Sequence, residues 1–437
     1  MQTFAMLPQE AIMGKPHGHG RPYGRPQGRF RFAAALAVAA LLLAACSSGK
    51  SSSPSGGNQA QNSKPIRIGA SISRSGDFSD PAQLVLRGYK LWADQVNAKG
   101  GLLGRKVEIV TVDDASSPNQ AVTNYQNLIT RDKVDLTFGP FSSLLTLPSA
   151  QVAKRYGYAF LEPEGGGPKV FAAKLPNLFF VQPAPAVAQG QVFADYVLSL
   201  PAAQRPKTAA YPSLDDPFAS PVAEAVRTRF EQAGIRTVYN HIYPAETTDL
   251  TPIVQKVAAA KPDVVVAGTQ SEDAYSQVKA MVQLGFSPKM LFMSNGANAP
   301  TEFPDKVGKA NVNGVFSSST WSPDAKTNGN AEFIAAYQKA YGGSPNGIDG
   351  NTADAYAVGQ VLQQAVAKIG AIDNQKIIAT LHSGTWSTIQ GDLQWDADGA
   401  PNGKDVLLQW VDGTLVPVFP ADRASKQPVA VKPPWGG

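Results

Sequence analysis

Short apolar strands alternate with longer amphipathic helices from Pro65 to near the end of the chain. The first predicted strand covers residues 66–70, and the helix after it places Leu84, Leu91 and Val96 on one face before a glycine pair stops it. Further strands are predicted at residues 106–112, 134–138, 158–161, 209–211, 264–267 and 290–293. Strands that alternate with helices are typical of α/β folds with parallel sheets. At 437 residues, the chain is long enough for two such sheets.

Two of the predicted strands lie in segments of similar sequence, which indicates that the chain holds two related halves. KVDLTFG at residues 133–139 resembles KPDVVVAG at residues 261–268, and each segment follows a helix-like stretch. Because buried parallel strands share a common apolar composition, this similarity is only a supporting observation.

The first 45 residues predict an export signal. They carry five basic residues and one acidic residue, and they end in an apolar run at residues 32–45. This run has 14 residues, whereas a membrane-spanning helix needs about 20. A basic flank, a short apolar stretch and small residues before a cleavage site are typical of a secretory signal peptide.

The only cysteine of the chain follows this run directly. LAAC at residues 43–46, followed by SSG, resembles the bacterial lipoprotein box, in which the cysteine is lipidated and becomes the new N-terminus. The resemblance implies that residues 1–45 are removed and that Cys46 carries a lipid. A plain secretory signal with an incidental cysteine is the alternative. Residues 46–64 are rich in Ser, Gly, Asn and Gln, which predicts a flexible tether.

The net charge argues against nucleic acid as a partner. The chain carries +5 in total, and residues 1–45 account for four of these charges. The remainder is almost neutral, so we expect no nucleic-acid binding. A single cysteine also excludes an intramolecular disulfide and a cysteine-rich metal site.

A series of polar and glycine-containing motifs runs in order from residue 97 to residue 413. They are NAKGGLLGRK at 97–106, DD at 113–114, GPFSS at 139–143, TD at 248–249, QLG at 283–285, TADAY at 352–356, GDLQWD at 391–396 and QWVDG at 409–413. In this order they resemble the Leu/Ile/Val-binding family of ABC-transporter substrate-binding proteins, which has the periplasmic binding protein type I fold.

The resemblance implies an α/β fold with two doubly wound parallel-sheet lobes joined by a three-crossover hinge. By this analogy, lobe 1 comprises residues 66–185 with 318–402, and lobe 2 comprises residues 186–317 with 403–420. Residues 421–437 are then a C-terminal tail. The crossovers are expected near residues 183–185, 317–319 and 402–403.

A cleft between two such lobes is expected to bind a ligand. In open α/β sheets, ligands bind beyond the carboxyl ends of the strands, where loops and helix starts present free N–H groups. The corresponding loops here are residues 71–78, 139–143, 162–167, 215–218, 270–273 and 294–296. The predicted ligand-binding residues are Ser143, Glu164, Gly165, Gly166, Phe218, Gln270, Glu272 and Asn295.

Two of these residues take their role from the family. Ser143 matches a serine that hydrogen-bonds a ligand carboxylate, and a helix N-cap without ligand contact is the alternative. Phe218 falls where many members place a tyrosine against the ligand. It keeps an aromatic wall without the hydroxyl, and a packed core phenylalanine is the alternative.

Two departures from the family pattern concern the ligand itself. The family loop usually reads SPAAT, whereas residues 162–166 read EPEGG, so Gly166 replaces a threonine that helps to hold the ligand's α-amino and α-carboxylate groups. The acidic residue that pairs with a ligand ammonium aligns near Asn295, which is neutral. A desolvated ammonium without a charged partner is costly. Either Glu164 or Glu272 therefore supplies the charge, or the ligand is not a free α-amino acid, and we favour the second interpretation.

The sequence contains little that indicates catalysis. His241 and His382, the two histidines outside the signal segment, are 141 residues apart and have no metal-ligand spacing. Neither a Gly-x-Ser-x-Gly elbow nor a phosphate-binding loop is present. The acid pairs at residues 113–114 and 215–216 are more typical of loops and caps than of acid/base chemistry. We therefore predict a protein that is not an enzyme and that uses no cofactor and no metal.

These observations predict an exported, lipid-anchored binding protein that faces the periplasm or the cell surface. Hinge closure captures a small ligand, such as a branched-chain amino acid, an amide or a related molecule, which is delivered to the membrane subunits of an ABC permease. We expect a monomer. One alternative is a ligand sensor on the same fold that signals to a kinase or regulator. Another is a surface hydrolase whose turnover depends on Asp114 or Asp216.

Overall fold

The computed structural model describes residues 64–436, which form two α/β lobes, each built on its own sheet. The strands are β1 (Ile66–Ser71), β2 (Val107–Val112), β3 (Leu136–Phe138), β4 (Phe160–Glu162), β5 (Leu178–Phe180), β6 (Thr208–Leu214), β7 (Arg236–Tyr243), β8 (Val264–Ala267), β9 (Met290–Met293), β10 (Val315–Ser319), β11 (Trp386–Thr388), β12 (Gly391–Leu393), β13 (Val406–Val411) and β14 (Thr414–Phe419). The predicted signal segment, Cys46 and nearly all of the tether lie outside the described residues.

Helices connect most of these strands. They are α1 (Ser79–Ala98), α2 (Pro118–Thr130), α3 (Ser143–Arg155), α4 (Pro168–Ala172), α5 (Val187–Ser199), α6 (Ala219–Gln232), α7 (Thr251–Ala260), α8 (Ser271–Gln283), α9 (Glu302–Val307), α10 (Asn330–Tyr341), α11 (Gly350–Ile369) and α12 (Asn374–Leu381). None of the helices within residues 64–436 combines the length and the apolar character that a membrane crossing requires.

Local sequence signals set where several helices begin. The Ser117 hydroxyl accepts the Gln120 N–H at 3.4 Å, and Pro118 occupies the first helical position of α2, where a missing N–H costs nothing. Asp349 caps α11 in the same way by accepting the Asn351 N–H at 2.8 Å. These caps satisfy backbone donors that have no partner inside the helix.

The first sheet has five parallel strands in the order β2-β1-β3-β4-β5. The second sheet has seven strands in the order β14-β13-β10-β9-β8-β6-β7. Buried apolar clusters cover both faces of each sheet, because successive residues of one strand, such as Phe160 and Leu161 or Val265 and Val266, belong to different clusters. The predicted α/β fold with two parallel-dominated, doubly wound lobes is therefore confirmed.

The second sheet departs from the expected parallel arrangement at one edge. Strand β13 runs antiparallel to β10, and β14 runs antiparallel to β13. Asp412 and Gly413 connect these two strands with positive φ angles of 52° and 71°. A two-residue turn of this kind matches the twist of a hairpin, which is why the chain folds back here instead of crossing over.

The two similar segments at residues 133–139 and 261–268 have the same structural role in their sheets. Lys133 and Lys261 both adopt positive φ, at 51° and 49°. Two residues later, Asp135 accepts the Arg67 N–H of β1 at 2.8 Å, and Asp263 accepts the Thr208 N–H of β6 at 3.2 Å. The shared Lys-x-Asp pattern therefore starts a strand and ties it to its neighbour in each lobe.

Three chain segments outside the sheet strands link or extend the lobes. The Gly403 N–H donates to the Pro183 carbonyl at 2.7 Å, which joins two segments that run between the lobes. The C-terminal segment packs on the second lobe, where the Lys432 N–H donates to the Lys289 carbonyl and the Trp435 indole donates to the Phe286 carbonyl, both at 2.7 Å. The second lobe therefore carries the end of the chain.

Helices α1 and α11 cross so closely that Gly88 has no room for a side chain. A Cβ built on Gly88 would overlap the Thr352 carbonyl oxygen and lie 2.7 Å from the Ala355 methyl. The carbonyl belongs to rigid helix backbone and cannot move aside.

We expect Gly88→Ala to destabilise the fold. Alanine raises helix propensity by about 1 kcal/mol. Overpacking costs about 1–3 kcal/mol, and a clash with rigid backbone belongs in the upper part of this range, so the net loss should be about 1–2 kcal/mol. Urea unfolding followed by circular dichroism measures it. Ala367→Ser, which adds one heavy atom at an exposed position of α11, is the matched control. An unchanged midpoint for Gly88→Ala would show that the two helices can move apart freely.

Candidate ligand-binding cleft

A cavity lies between the two lobes at the carboxyl ends of their parallel strands. Its empty space measures about 480 Å³, open solvent at its mouth included. The lining comes from segments that follow β3, β4, β5, β6, β8, β9 and β10, and from the start of α11. This is where ligands bind in open α/β sheets. Of the six loops predicted from the sequence, all but residues 71–78 contribute to the lining.

Four predicted site residues line this cavity. They are Glu164, Phe218, Gln270 and Asn295. Glu164 comes from the first lobe and the other three come from the second, so the structure brings the two lobes together around one space. Phe218 also packs in the apolar cluster of its lobe, and it therefore combines both roles considered for it.

The other four predicted site residues do not reach the lining. The Ser143 hydroxyl accepts the Gly167 N–H at 2.9 Å and so holds the neighbouring loop. Gly165 packs against the Thr146 side chain. Glu272 is half exposed and forms an ion pair with Lys306 at 3.5 Å. That Ser143, Gly165, Gly166 and Glu272 contact a ligand stays a prediction.

Gly166 is enclosed by the protein itself. A Cβ at this position would lie 2.5 Å from the Phe180 ring and 3.1 Å from the Ala186 nitrogen. The Phe180 ring therefore fills the space that the family's threonine side chain requires. No larger residue fits at Gly166 without moving Phe180.

An acidic pair forms the floor of the cavity on the first lobe. The Gln182 amide donates to Asp354 Oδ2 at 3.0 Å and to Glu164 Oε2 at 3.3 Å, so it holds the two carboxyl groups side by side. The Thr320 hydroxyl donates to Asp354 Oδ1 at 2.8 Å, and the Gln390 amide donates to the same oxygen. Burial and the nearby Asp354 raise the pKa of Glu164, and burial raises the pKa of Asp354.

Further acids are buried around this pair. Burial raises the pKa of Glu162 to about 8 and the pKa of Asp349 to about 7. Burial also raises the pKa of Asp405, whose two carboxylate oxygens have no hydrogen-bond partner among the described residues. Charged carboxylates are costly where water is excluded, so these groups retain protons to higher pH than exposed acids do.

A polar network forms the opposite wall on the second lobe. The Asn295 amide donates to Gln270 Oε1 at 2.9 Å, and the Gln270 amide donates to Asp216 Oδ1 at 3.2 Å. Asp216 also accepts the N–H groups of Phe218 and Ala219, at 2.8 and 3.0 Å, and so caps α6. Asn295 is thus held in place by its neighbours and forms part of the cavity lining.

Sequence reasoning missed several residues of the lining. The residues that were not predicted are Gln182, Gln189, Asn298, Ser318, Ser319, Thr320, Gly350, Asn351 and Asp354. The cavity is also lined by Phe141, Ser142 and Ser294, which were not named individually but lie in the predicted loops at residues 139–143 and 294–296. Two signals pointed near them: the crossover predicted at residues 317–319 and the TADAY motif at residues 352–356. Neither signal says that the segment faces the cleft, because this depends on how the lobes pack.

The acid pairs considered for catalysis have structural partners. Asp114 accepts hydrogen bonds from the Ser71 and Ser73 hydroxyls at 2.8 and 2.5 Å. Asp113 accepts the N–H groups of Arg74 and Ala115, each at 2.9 Å. Both residues therefore order the loop after β2. Within residues 64–436, no group of three His, Cys, Asp or Glu side chains is placed to hold a metal ion.

A cavity lined from two α/β lobes defines a ligand-binding protein of the two-lobed class. The sequence model of the periplasmic binding protein family matches residues 65–414. The chain belongs to this family of exported binding proteins, which are not enzymes, and the resemblance to the Leu/Ile/Val-binding proteins is confirmed by relatives of that name.

Two curated relatives match this chain over most of its length and over most of their own. An amino acid binding protein of Pseudomonas aeruginosa is 27% identical over 349 residues, which cover 79% of this chain and 90% of the relative. The Leu/Ile/Val-binding protein homolog 7 of Brucella suis is 25% identical over 399 residues, which cover 88% of this chain and 96% of the relative.

Two solved structures share the fold. The branched-chain amino acid transporter substrate binding protein LivJ from Streptococcus pneumoniae, in complex with isoleucine, has a TM-score of 0.71 and 22% identity, and the match covers 80% of this chain and 98% of LivJ. A solute binding protein from R. palustris in complex with benzoate has a TM-score of 0.71 and 19% identity, with 84% and 99% covered. At these identities the likeness concerns the fold alone.

The buried Glu162 carboxyl should make stability depend on pH. Between pH about 4.5 and about 8, the folded state keeps the proton that the unfolded state loses. The folded state then binds more protons, so the free energy of unfolding falls as pH rises through this range. Glu162→Gln keeps the shape and cannot ionise, so its unfolding midpoint should fall less steeply with pH.

Thermal unfolding across this pH range measures the effect. Glu246→Gln, which changes an exposed acid, is the matched control and should follow the unmodified protein. Identical pH profiles for Glu162→Gln and the unmodified protein would contradict the assignment of a retained proton to Glu162.

Proposed function

We propose that this protein captures a small ligand between its lobes and delivers it to the membrane subunits of an ABC permease. The observation that carries the proposal is the cavity between the lobes, lined by Glu164 from one side and by Phe218, Gln270 and Asn295 from the other. A ligand that contacts both walls stabilises the closed arrangement over the open one. Relatives named for amino acid and Leu/Ile/Val binding support a branched-chain amino acid, an amide or a related small molecule as the ligand.

We further propose that the protein is a monomer held at the membrane by a lipid on Cys46. The sequence at residues 43–46 and the flexible composition of residues 46–64 support this arrangement. Labelling with a lipid precursor tests it: incorporation should be lost in Cys46→Ser, while the protein is still exported. Unchanged labelling of that variant would place the lipid elsewhere, and absence of labelling in the unmodified protein would make the export signal an ordinary one.

Ligand binding should make the protein more compact. Small-angle scattering of the whole chain, refolded to remove carried-over ligand, should give a smaller radius of gyration with a bound amino acid, amide or aromatic carboxylate from a screening panel. Deletion of the gene should also abolish uptake of that compound. Binding without compaction would contradict hinge closure, and compaction without any effect on uptake would favour the sensor alternative.

An ion-pair bridge connects the two lobes. Lys306 Nζ on the second lobe lies 3.4 Å from Asp80 Oδ2 on the first lobe and 3.5 Å from Glu272 Oε1 on its own lobe. All three side chains are about half exposed, so the interaction is weak and screened by salt. The contact between Lys306 and Asp80 forms only when the two lobes are close together.

Lys306→Ala should therefore shift the lobes toward the open arrangement. Because exposed pairs contribute about 0.2–1 kcal/mol, we expect the ligand affinity to fall by about two- to fivefold at low salt and by less at high salt. Isothermal titration calorimetry at two salt concentrations measures this. Lys309→Ala, at a nearby exposed lysine without an ion pair among the described residues, is the control. Equal affinities of the two variants would exclude a role for the bridge in closure.

A further inference from the structure

Several backbone donors around the cleft are already occupied by the protein's own oxygens. Glu162 accepts the N–H groups of Glu164 and Gly165 at 2.9 and 2.5 Å. Asp216 accepts two N–H groups at the start of α6, and Asp349 accepts one at the start of α11. The Ser143 hydroxyl accepts the Gly167 N–H. These N–H groups are therefore not available to a ligand carboxylate in the cavity.

Four side-chain oxygens of the lining have no hydrogen-bond partner among the described residues, and each of them can accept a hydrogen bond. Glu164 Oε1 and Gln189 Oε1 face the cavity without a hydrogen-bond partner among the described residues. The hydroxyls of Ser142 and Ser318 also lack a partner, and these side chains are only 2% and 1% exposed. Buried polar groups are almost always hydrogen-bonded, so their free state points to a ligand that supplies the missing partners.

The charged side chains in the described lining of the cavity are all acidic, and they lie on the first lobe. Among the described residues, no lysine, arginine or histidine contributes to the lining, whereas Glu164 and Asp354 do. Behind this pair lie Glu162, Asp349 and Asp405. Arg87 lowers the pKa of Asp349 and Arg423 lowers the pKa of Asp405, against the larger effect of burial, and neither arginine lines the cavity.

We propose that the cleft selects a small organic cation, a protonated amine or an amidinium, whose charged end lies between the Glu164 and Asp354 carboxyl groups and which carries no free carboxylate. The inference rests on the proposed function, because it names the ligand class of that site. Aliphatic amines are protonated at neutral pH, and such a cation supplies donors to the free oxygens of Glu164 and the two serines. A carboxylate in the same place would lose its water shell without comparable partners.

Matched pairs of probes separate charge from shape. In the aliphatic set, all three compounds contain a 3-methylbutyl group: isoamylamine carries an ammonium, 4-methylpentanoate carries a carboxylate and leucine carries both. Benzylamine, benzamidine and benzoate form an aromatic set. Thermal shift and calorimetry are measured on the whole chain after unfolding and refolding. We expect at least one of the cations to bind, and its affinity should be about tenfold or more above that of the carboxylate in the same set.

Variants test the position of the cation. Glu164→Gln should lower the affinity for the bound cation by about tenfold or more, because a charge-assisted hydrogen bond is lost. Asp354→Asn should act in the same direction, and circular dichroism checks that it folds. Glu246→Gln, an exposed acid outside the lining, is the matched control and should bind normally. Affinity should also rise with pH as the acidic pair ionises.

Several results would overturn the proposal. These are tighter binding of leucine or a carboxylate than of the matched amine, unchanged affinity in Glu164→Gln, and no stabilisation by any cation of the panel. If leucine or benzoate binds and compacts the protein, the binding function stands and only the ligand class is wrong. If scattering detects no compaction with any ligand, the proposed function fails as well.

Discussion

The backbone N–H groups at the carboxyl ends of the parallel strands must find acceptors, and this requirement organises the whole cleft. Parallel strands that end at one edge leave loops and helix starts with donors that no sheet partner can satisfy. In many binding sites the ligand is the acceptor. Here Glu162, Asp216 and Asp349 perform this role within the protein itself. The loops are therefore ordered without a ligand, and acids are concentrated where the lobes meet.

This arrangement places a stability cost at the binding site. The buried acids retain protons because water is excluded and because cations are distant, so raising the pH works against the folded state. A cation that enters the cavity replaces those protons and removes part of the cost. Ligand binding, lobe closure and the ionisation of the acids are thus coupled through one set of carboxyl groups, and a change in any of them shifts the others.

The sequence predicted the fold better than it predicted the site. The strands at Val264–Ala267 and Met290–Met293 have the bounds that their apolar runs indicated, because a buried parallel strand has a strong local signal. The antiparallel β13–β14 hairpin was missed, since its turn residues were considered only as part of a motif. Asp354 was also missed as a lining residue. It lies on α11, far along the chain from Glu164, and only tertiary packing brings the two carboxyl groups together.

The two interpretations of the EPEGG loop do not exclude each other. If Glu164 supplies the charge that Asn295 lacks, an ammonium group is held from the first lobe and not from the second. The α-carboxylate of an amino acid would then need donors near Gly166, where Phe180 fills the space and Glu162 occupies the neighbouring N–H groups. The loop that carries this acid therefore also lacks partners for a carboxylate. In the proposal made above, one short loop changes the charge that the ligand must carry, while the surrounding fold stays that of the family.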